Sequence, residues 1–395
     1  MFFSKTLFLL SIACWSAIIV RAQDRPALSG KVTDSATGKP IAGCSVYLNN
    51  TSIGTVTATD GVFLLKGISR GRSDLVVSAI GYTTYVLPLR GDSLPGELKV
   101  RLRQNATELS AFTVESWMKD GWKQWGKFFL DNFIGTTGNA SSCTLVNRKV
   151  LRFHYSKKNR RLTVSATAPL IIHNKALGYD LQYQLEHFSF EENTEIVFYQ
   201  GYPLFREMTT QRDELHQQWM ERRKKAYLGS MHHFIQSLYK GWLPEQGFLL
   251  EHTVKIPNVE KQRVKLVYDP NAPIGAYSRD SLYYYWNILK QGDSFSEVQR
   301  VDPNNVVTTL PGGQKSLMFN GHLFVKYFYQ RPPIADYWQS DLLLQDASGV
   351  EIEENGSYFP PENMLAAGSW AQTEKICNLL PLDYPMPAGP PAHNQ

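Results

Sequence analysis

Between Leu28 and Leu102 the chain breaks into short apolar and β-branched runs, interrupted by turn-forming residues roughly every eight to twelve positions. That rhythm is too short for helices and is the pattern of an all-β sandwich. Gly38-Lys39-Pro40 separates one strand from the next, and Asn49-Asn50 closes the strand ending at Leu48. Asp60-Gly61 supplies a tight hairpin before Val62-Phe63-Leu64, with Gly61 free to take the positive φ such a turn requires. Cys44, Val46 and Leu48 alternate and point to one face, which places the cysteine in the sandwich core. Leu75, Val77 and Ala79 alternate likewise until Gly81-Tyr82 interrupts them, a bulge with the tyrosine ring covering the sandwich edge.

Ahead of this region, Lys5 precedes an apolar run from Leu7 to Val20, and Arg21-Ala22-Gln23 offers a small residue to a signal peptidase. Residues 1–22 are read as a secretory signal, because the run falls short of the roughly twenty residues a membrane-crossing helix needs. A competing reading takes Leu10-Ser11-Ile12-Ala13-Cys14 as a lipidation site, which Ile12 and the continuing apolar run fit badly. No membrane-crossing segment is expected after cleavage at Gln23. The mature chain is then exported, to the periplasm or the outer-membrane surface.

The succession Gly30-Lys31-Val32-Thr33-Asp34, Gly38-Lys39-Pro40-Ile41-Ala42-Gly43, Thr59-Asp60-Gly61-Val62-Phe63 and Ile80-Gly81-Tyr82 resembles the carboxypeptidase regulatory-like domain. The resemblance implies a transthyretin-like, seven-stranded all-β sandwich over residues 26–104 and no catalytic residues within it. Domains of that family are accessory modules, found beside metallocarboxypeptidases and, in bacteria of the Bacteroidota type, before TonB-dependent outer-membrane receptors and in many envelope proteins.

Residues 105–116 read as a linker, and residues 117–380 as an α+β domain with a mainly antiparallel sheet. Trp122, Trp125, Phe129 and Phe133 recur at helical spacing, the core-facing stripe of an amphipathic helix that Gly135 ends. Gly135 to Ser142 reads as a helix-to-strand loop. Leu151, Phe153 and Tyr155, then Leu162, Val164 and Ala166, then Leu181, Tyr183 and Leu185 alternate as antiparallel strands. A long helical region is expected from about Arg206 to Tyr239, with Arg222-Arg223-Lys224-Lys225 as a solvated face. Residues 381–395, with Pro385, Pro387, Pro390 and Pro391, read as a proline-rich tail.

Hydrophobic residues make up 43% of the 395 and charged residues 19%, with a formal net charge of +5, which describes a globular chain and does not imply nucleic acid. Three cysteines remain after processing, too scattered for a disulfide framework or a zinc cluster; Cys143 and Cys377 are left open to pairing in an oxidising compartment. A zinc carboxypeptidase needs a histidine with a glutamate three residues on, and His187 has Phe190 there and Glu191 one position late. The glycines of Gly121 to Gly126-Lys127 have phosphate-loop spacing, but Phe128 stands where a hydroxyl should hold magnesium. No catalytic residue, cofactor or metal set is therefore assigned.

One cluster stands out, read first as a hydrogen-bonded structural group and second as the binding candidate of this half: Arg223, Tyr227, Ser230 and His233, whose spacings of four, three and three set them on neighbouring helical faces unless Gly229 bends the helix. Together with Ala226, Phe234, Ser237, Leu238, Asn147, Leu177-Gly178-Tyr179 and Gly201-Tyr202, these positions resemble the second half of a group of Bacteroidota envelope proteins that carry the same sandwich. Ser230 and His233 have no carboxylate partner legible along the chain. The favoured expectation is a non-catalytic envelope binding or assembly protein with envelope or outer-membrane proteins as partners and an exposed apolar or aromatic patch. The alternative is an envelope peptide or glycan hydrolase, with a perturbed carboxylate pair or histidine in a pocket.

Overall fold

The computed structural model describes residues 26–105, 117–329 and 338–387. Residues 1–25, where a signal segment and Cys14 are expected, nearly all of the expected 105–116 linker and the last eight residues of the chain lie outside the described residues.

The N-terminal unit is built from β1 (Leu28–Asp34), β2 (Ser45–Leu48), β3 (Gly54–Val56), β4 (Val62–Leu65), β5 (Arg72–Ser78), β6 (Tyr85–Arg90) and β7 (Leu98–Leu102). They form two sheets, ordered β4-β1-β7 and β3-β2-β5-β6. Leu28, Val32, Cys44, Val46, Leu48, Leu75, Val77 and Val100 fill the space between them, so the alternation legible in the sequence is the core pattern. Asp60-Gly61 turns the chain as expected, with Gly61 at φ 77° and the Asp60 carboxylate accepting from the Val62 amide at 3.0 Å. It joins β3 of one sheet to β4 of the other, so it is a corner between sheets and not a hairpin within one. The Tyr82 hydroxyl crosses the edge to donate to Asp34 at 3.0 Å.

Tyr47 departs from the sandwich pattern. It is fully buried although it points away from the sandwich core, because it packs with Val76 against Leu204 and Tyr202 of the following unit. The sandwich is thus docked by a face, with Tyr47 donating to the Tyr202 carbonyl at 2.9 Å and the Asn50 amide to the Pro203 carbonyl at 2.9 Å.

The next unit comprises α1 (Gly121–Phe133), β8 (Cys143–Leu145), β9 (Leu151–Ser156), β10 (Arg161–Ala166), β11 (Leu170–Asn174), β12 (Tyr179–Glu191) and β13 (Ile196–Glu207). Its sheet runs β8-β11-β12-β10-β9, with β13 also on β12, and its strand pairs are antiparallel. Phe129 and Phe133 of α1 are fully buried on this sheet, while Trp125 stacks on Tyr155 with ring centroids 5.5 Å apart. In β12, Tyr179, Leu181, Tyr183 and Leu185 face the core until a bulge between Leu185 and His187 shifts the phase, and Phe188 takes the next buried place.

Then follow α2 (Asp213–Tyr227), α3 (Met231–Lys240), β14 (Phe248–Pro257), α4 (Val259–Val267), α5 (Arg279–Lys290), β15 (Ser294–Arg300), β16 (Val307–Thr309), β17 (Lys315–Leu317), β18 (His322–Tyr327), β19 (Trp338–Leu344), β20 (Val350–Ile352), β21 (Tyr358–Phe359), β22 (Met364–Gly368) and α6 (Ser369–Thr373). They supply two further sheets, β15-β14-β18-β19-β22 and β16-β17-β20-β21, around a second core that includes Phe234, Leu238, Phe248, Val325 and Trp370. The part after residue 117 is β-rich with few helices. The chain crosses from the first of these cores to the second at residues 228–230 and returns near Glu374, since Ile376, Cys377, Leu380 and Tyr384 complete the earlier core.

Three expectations are corrected here. The single helical region from Arg206 to Tyr239 is a strand end, then α2, then α3. Leu228 leaves helical geometry at ψ 122° and Gly229 sits at φ 78°, a backbone state that residues with a side chain rarely adopt. The basic run is not all solvated, because Arg223 is 3% exposed. The tail does not begin free at residue 381: the Leu382 amide donates to the Asn50 carbonyl at 2.7 Å, the Asp383 carboxylate accepts from the Ser52 amide at 2.8 Å, and Tyr384 is buried.

Candidate functional site

The four singled-out residues are near one another in sequence but serve different contacts. Arg223 faces the β11–β12 turn: Nε donates to the Leu177 carbonyl at 2.7 Å, Nη2 to the Gly178 carbonyl at 3.1 Å, and Nη1 pairs with Glu207. Its guanidinium also lies 4.0 Å from the centroid of the Tyr179 ring. Tyr227 donates to Gln236 Oε1 at 2.6 Å, within a ring cluster that includes His233 with centroids 4.8 Å apart. The buried His233 accepts from the Gly229 amide at Nδ1 (3.1 Å), which leaves Nε2 as the protonated nitrogen facing Gln246 Oε1 at 3.0 Å. Burial holds this imidazole down to about 4. Ser230 caps α3, its hydroxyl oxygen accepting from the His233 amide at 3.1 Å. Of the four, Ser230 alone lines the cavities described next.

Two cavities meet where the chain crosses between its cores. One, of about 260 Å³, is lined by Arg222, Lys225, Trp338, Trp370 and the Gly138-Asn139 turn. The other, of about 320 Å³, lies between the sandwich residues Asn49, Asn50 and Asp74, the start of α3 at His232, and Tyr358 and Phe359 of β21. Ala226, Ser230, Glu374 and Asn378 belong to both walls.

Glu374 accepts from the Met231 amide, the first residue of α3, at 3.1 Å, where the helix dipole favours a negative charge. Desolvation outweighs that bond and pushes the carboxyl up to about 7. Asp74 is raised in the same direction, chiefly by burial against the weaker opposing pull of Arg72. His232 is held down to about 4 by burial, with a weak hydrogen bond to the Asn355 backbone pulling the other way, and its buried ring has no partner in good hydrogen-bond geometry. Ser230, His232 and Glu374 share a wall, but no hydrogen bond joins any two of these side chains among the described residues, so they do not form a relay of nucleophile, base and orienter. None of this was legible in the sequence, because Asp74, His232 and Glu374 are far apart along the chain and carry no spacing motif.

A second feature projects from the fold. β14 pairs with β18 only as far as His252, whereas its pairing with β15 continues to Pro257. Beyond His252 a two-stranded ribbon therefore carries α4 and α5. Val264 is the one buried residue of α4, and α5 has none. The arm displays Leu266 at 88% exposure, Tyr283 at 68% and Trp286 at 56%, with Ile274, Leu282, Tyr284, Phe295 and Val298 also exposed. Its own contacts are a small ring cluster of Tyr268, Tyr277 and Tyr285, with centroids 5.5 to 5.6 Å apart, and peripheral charge contacts: Lys261 and Lys265 hold Asp293 at 3.1 and 2.9 Å, and Lys290 lies 3.1 Å from the centroid of the Trp286 ring. A ribbon of two strands has little stability by itself, and this one carries a larger apolar display than the rest of the described surface needs for its own core. The run Tyr283-Tyr284-Tyr285-Trp286 was the available sequence signal, but on a helix it reads equally as core.

Among the described residues no three His, Cys, Asp or Glu side chains are placed to hold a metal ion, and no helix is long and apolar enough to cross a membrane. Cys44, Cys143 and Cys377 are free thiols; burial, with Cys377 nearby, pushes the Cys143 thiol up to about 12.

No curated protein matches the chain by sequence. Among solved structures, two cohesin–X-dockerin complexes from Acetivibrio cellulolyticus align at 24% and 17% identity, each with a TM-score of 0.17, covering 19% and 23% of this chain and 51% and 65% of theirs. The chain thus spans less than two thirds of either neighbour. A Bacteroides fragilis protein described as membrane-associated and of unknown function aligns at 11% identity and a TM-score of 0.16, over 84% of this chain and 91% of that one. TM-scores of this size carry no functional argument. The profile of the CarboxypepD_reg-like domain matches residues 28–114, the stretch that contains both N-terminal sheets and the Gly30–Asp34, Asp60-Gly61 and Gly81-Tyr82 positions. The N-terminal part of this chain therefore carries a carboxypeptidase regulatory-like domain, docked by the Tyr47 face onto a β-rich remainder.

Proposed function

We propose that the mature protein is a non-catalytic binding or assembly protein of the bacterial cell envelope, exported through residues 1–22, with its sandwich as a fixed bracket and the α4–α5 arm as the contact surface. The observation that carries this reading is the arm itself: a ribbon and helix pair with almost no core of its own, displaying Tyr283, Trp286, Leu266 and Phe295 to solvent. Aromatic residues of this kind anchor protein interfaces, where a few of them supply most of the binding energy. Docking through Tyr47 and the Arg72 and Arg90 contacts to Glu351 keeps the sandwich in one orientation relative to the remainder, which suits a bracket better than a swinging spacer.

The test compares the tagged mature chain with Tyr283→Ser/Trp286→Ser in capture from envelope fractions of the host. The wild type should retain a defined periplasmic or outer-membrane protein that the double variant, folded by circular dichroism, loses by at least about tenfold, as expected for hot-spot aromatics. Equal recovery by both proteins would remove the arm from the reading.

A further inference from the structure

The cavity of about 320 Å³ has a one-sided chemistry. Its wall includes two carboxyls, Asp74 and Glu374, the side-chain amides of Asn49 and Asn50, and the His232 imidazole, and none of its lining residues is a lysine or arginine. Asn49 Oδ1 and Asn50 Oδ1 are buried without a hydrogen-bond donor, and the neutral His232 imidazole offers one further ring-nitrogen acceptor without a donor. Glu374 receives one backbone amide and, among the described residues, no cation. Buried acceptors left without donors cost free energy that an occupant supplying those donors recovers. Tyr358 adds an aromatic ring to the same wall, and ring faces attract cations, as Phe359 beside it shows by carrying the Arg72 guanidinium 4.2 Å from its centroid.

We propose that this cavity binds the protonated primary amine of a small ligand, with Glu374 as its counter-ion and the amide oxygens of Asn49 and Asn50 as further acceptors. An ammonium group brings three donors to these acceptors together with a positive charge that no lysine or arginine of the lining supplies. The raised carboxyls fit this assignment, since a bound ammonium lowers the cost of ionising them. Because the acceptors come from both the sandwich and the returning C-terminal segment, an occupant would also tighten the junction between them. The volume is at the small end for ligand pockets, the size of an amino-acid amide, a short peptide's N-terminus or an amino sugar.

Calorimetric titration of the full mature chain tests this with alaninamide, dialanine and glucosamine, each beside its N-acetylated form. At least one free amine should bind, with N-acetylation weakening it about tenfold or more, and Glu374→Gln and Asp74→Asn should each weaken it while both remain folded. Tyr283→Ser/Trp286→Ser should bind the amine like the wild type. Binding of the peptide amines alone would place the ligand among peptides, and of glucosamine alone among glycans. No binding of any amine at 10 mM (about 2.7 kcal/mol of binding free energy at that concentration as Kd), equal binding of the acetylated forms, or unchanged affinity in both carboxyl variants would overturn it.

Discussion

Glu374 shows at the scale of one residue how a cap and an uncompensated charge coexist. Its carboxylate is held by the Met231 amide, but burial raises its pKa from 4.5 to about 7. Between those values the unfolded chain has lost the proton that the folded chain keeps, so stability falls as pH rises from about 4.5 to about 7. Glu374→Gln keeps the hydrogen-bond acceptor and removes the titration. The variant should be more stable than the wild type at pH 8 by about 1–3 kcal/mol, with the advantage vanishing below pH 4.5. Urea unfolding of both proteins at the two pH values measures it, and a wild-type advantage at pH 8 would contradict the assignment. Arg223 and His233 teach a different lesson. Their types and spacing were visible in the sequence, but the carbonyls of Leu177 and Gly178 and the amide of Gln246 that absorb their polarity come from other elements.

At the scale of elements, legibility followed periodicity. The α1 stripe and the strands of Leu151, Leu162 and Leu181 were readable because one face of each is buried against a single neighbour. The α2–α3 break was signalled by Gly229 but hidden by helix-forming residues on both sides. An added Cβ there would lie 2.6 Å from the Tyr327 ring, in addition to the cost of φ 78° for a residue with a side chain. Gly229→Ala should therefore lose about 2–4 kcal/mol in chemical denaturation. A loss below about 0.5 kcal/mol would mean that the turn relaxes freely. The arm was not legible, since amphipathic helices with no core to cover look in sequence like helices that have one.

For the whole molecule, the sequence suggested beads joined at residues 105–116, whereas the structure interlocks them. Tyr47 is buried against Leu204, Asp383 reaches back to Ser52, and the chain enters the second core and returns to the first near Glu374. Such long-range closure cannot be read from local pattern, because Tyr47 reads as an outward strand position until a second sheet covers it. Tyr47→Ala should cost about 3–5 kcal/mol and separate sandwich unfolding from that of the remainder in a calorimetric scan. A single unshifted transition would show that the face contributes little.

The arm is the part of this assembly left facing outward, and its role can be read in the living cell. A photo-crosslinking amino acid at Tyr283, compared with one at the exposed Lys31 of the sandwich, reports what lies against each. If the arm is the contact surface, irradiation should give one discrete adduct with an envelope protein from position 283 and none from position 31. No adduct from 283, or the same adducts from both positions, would contradict it.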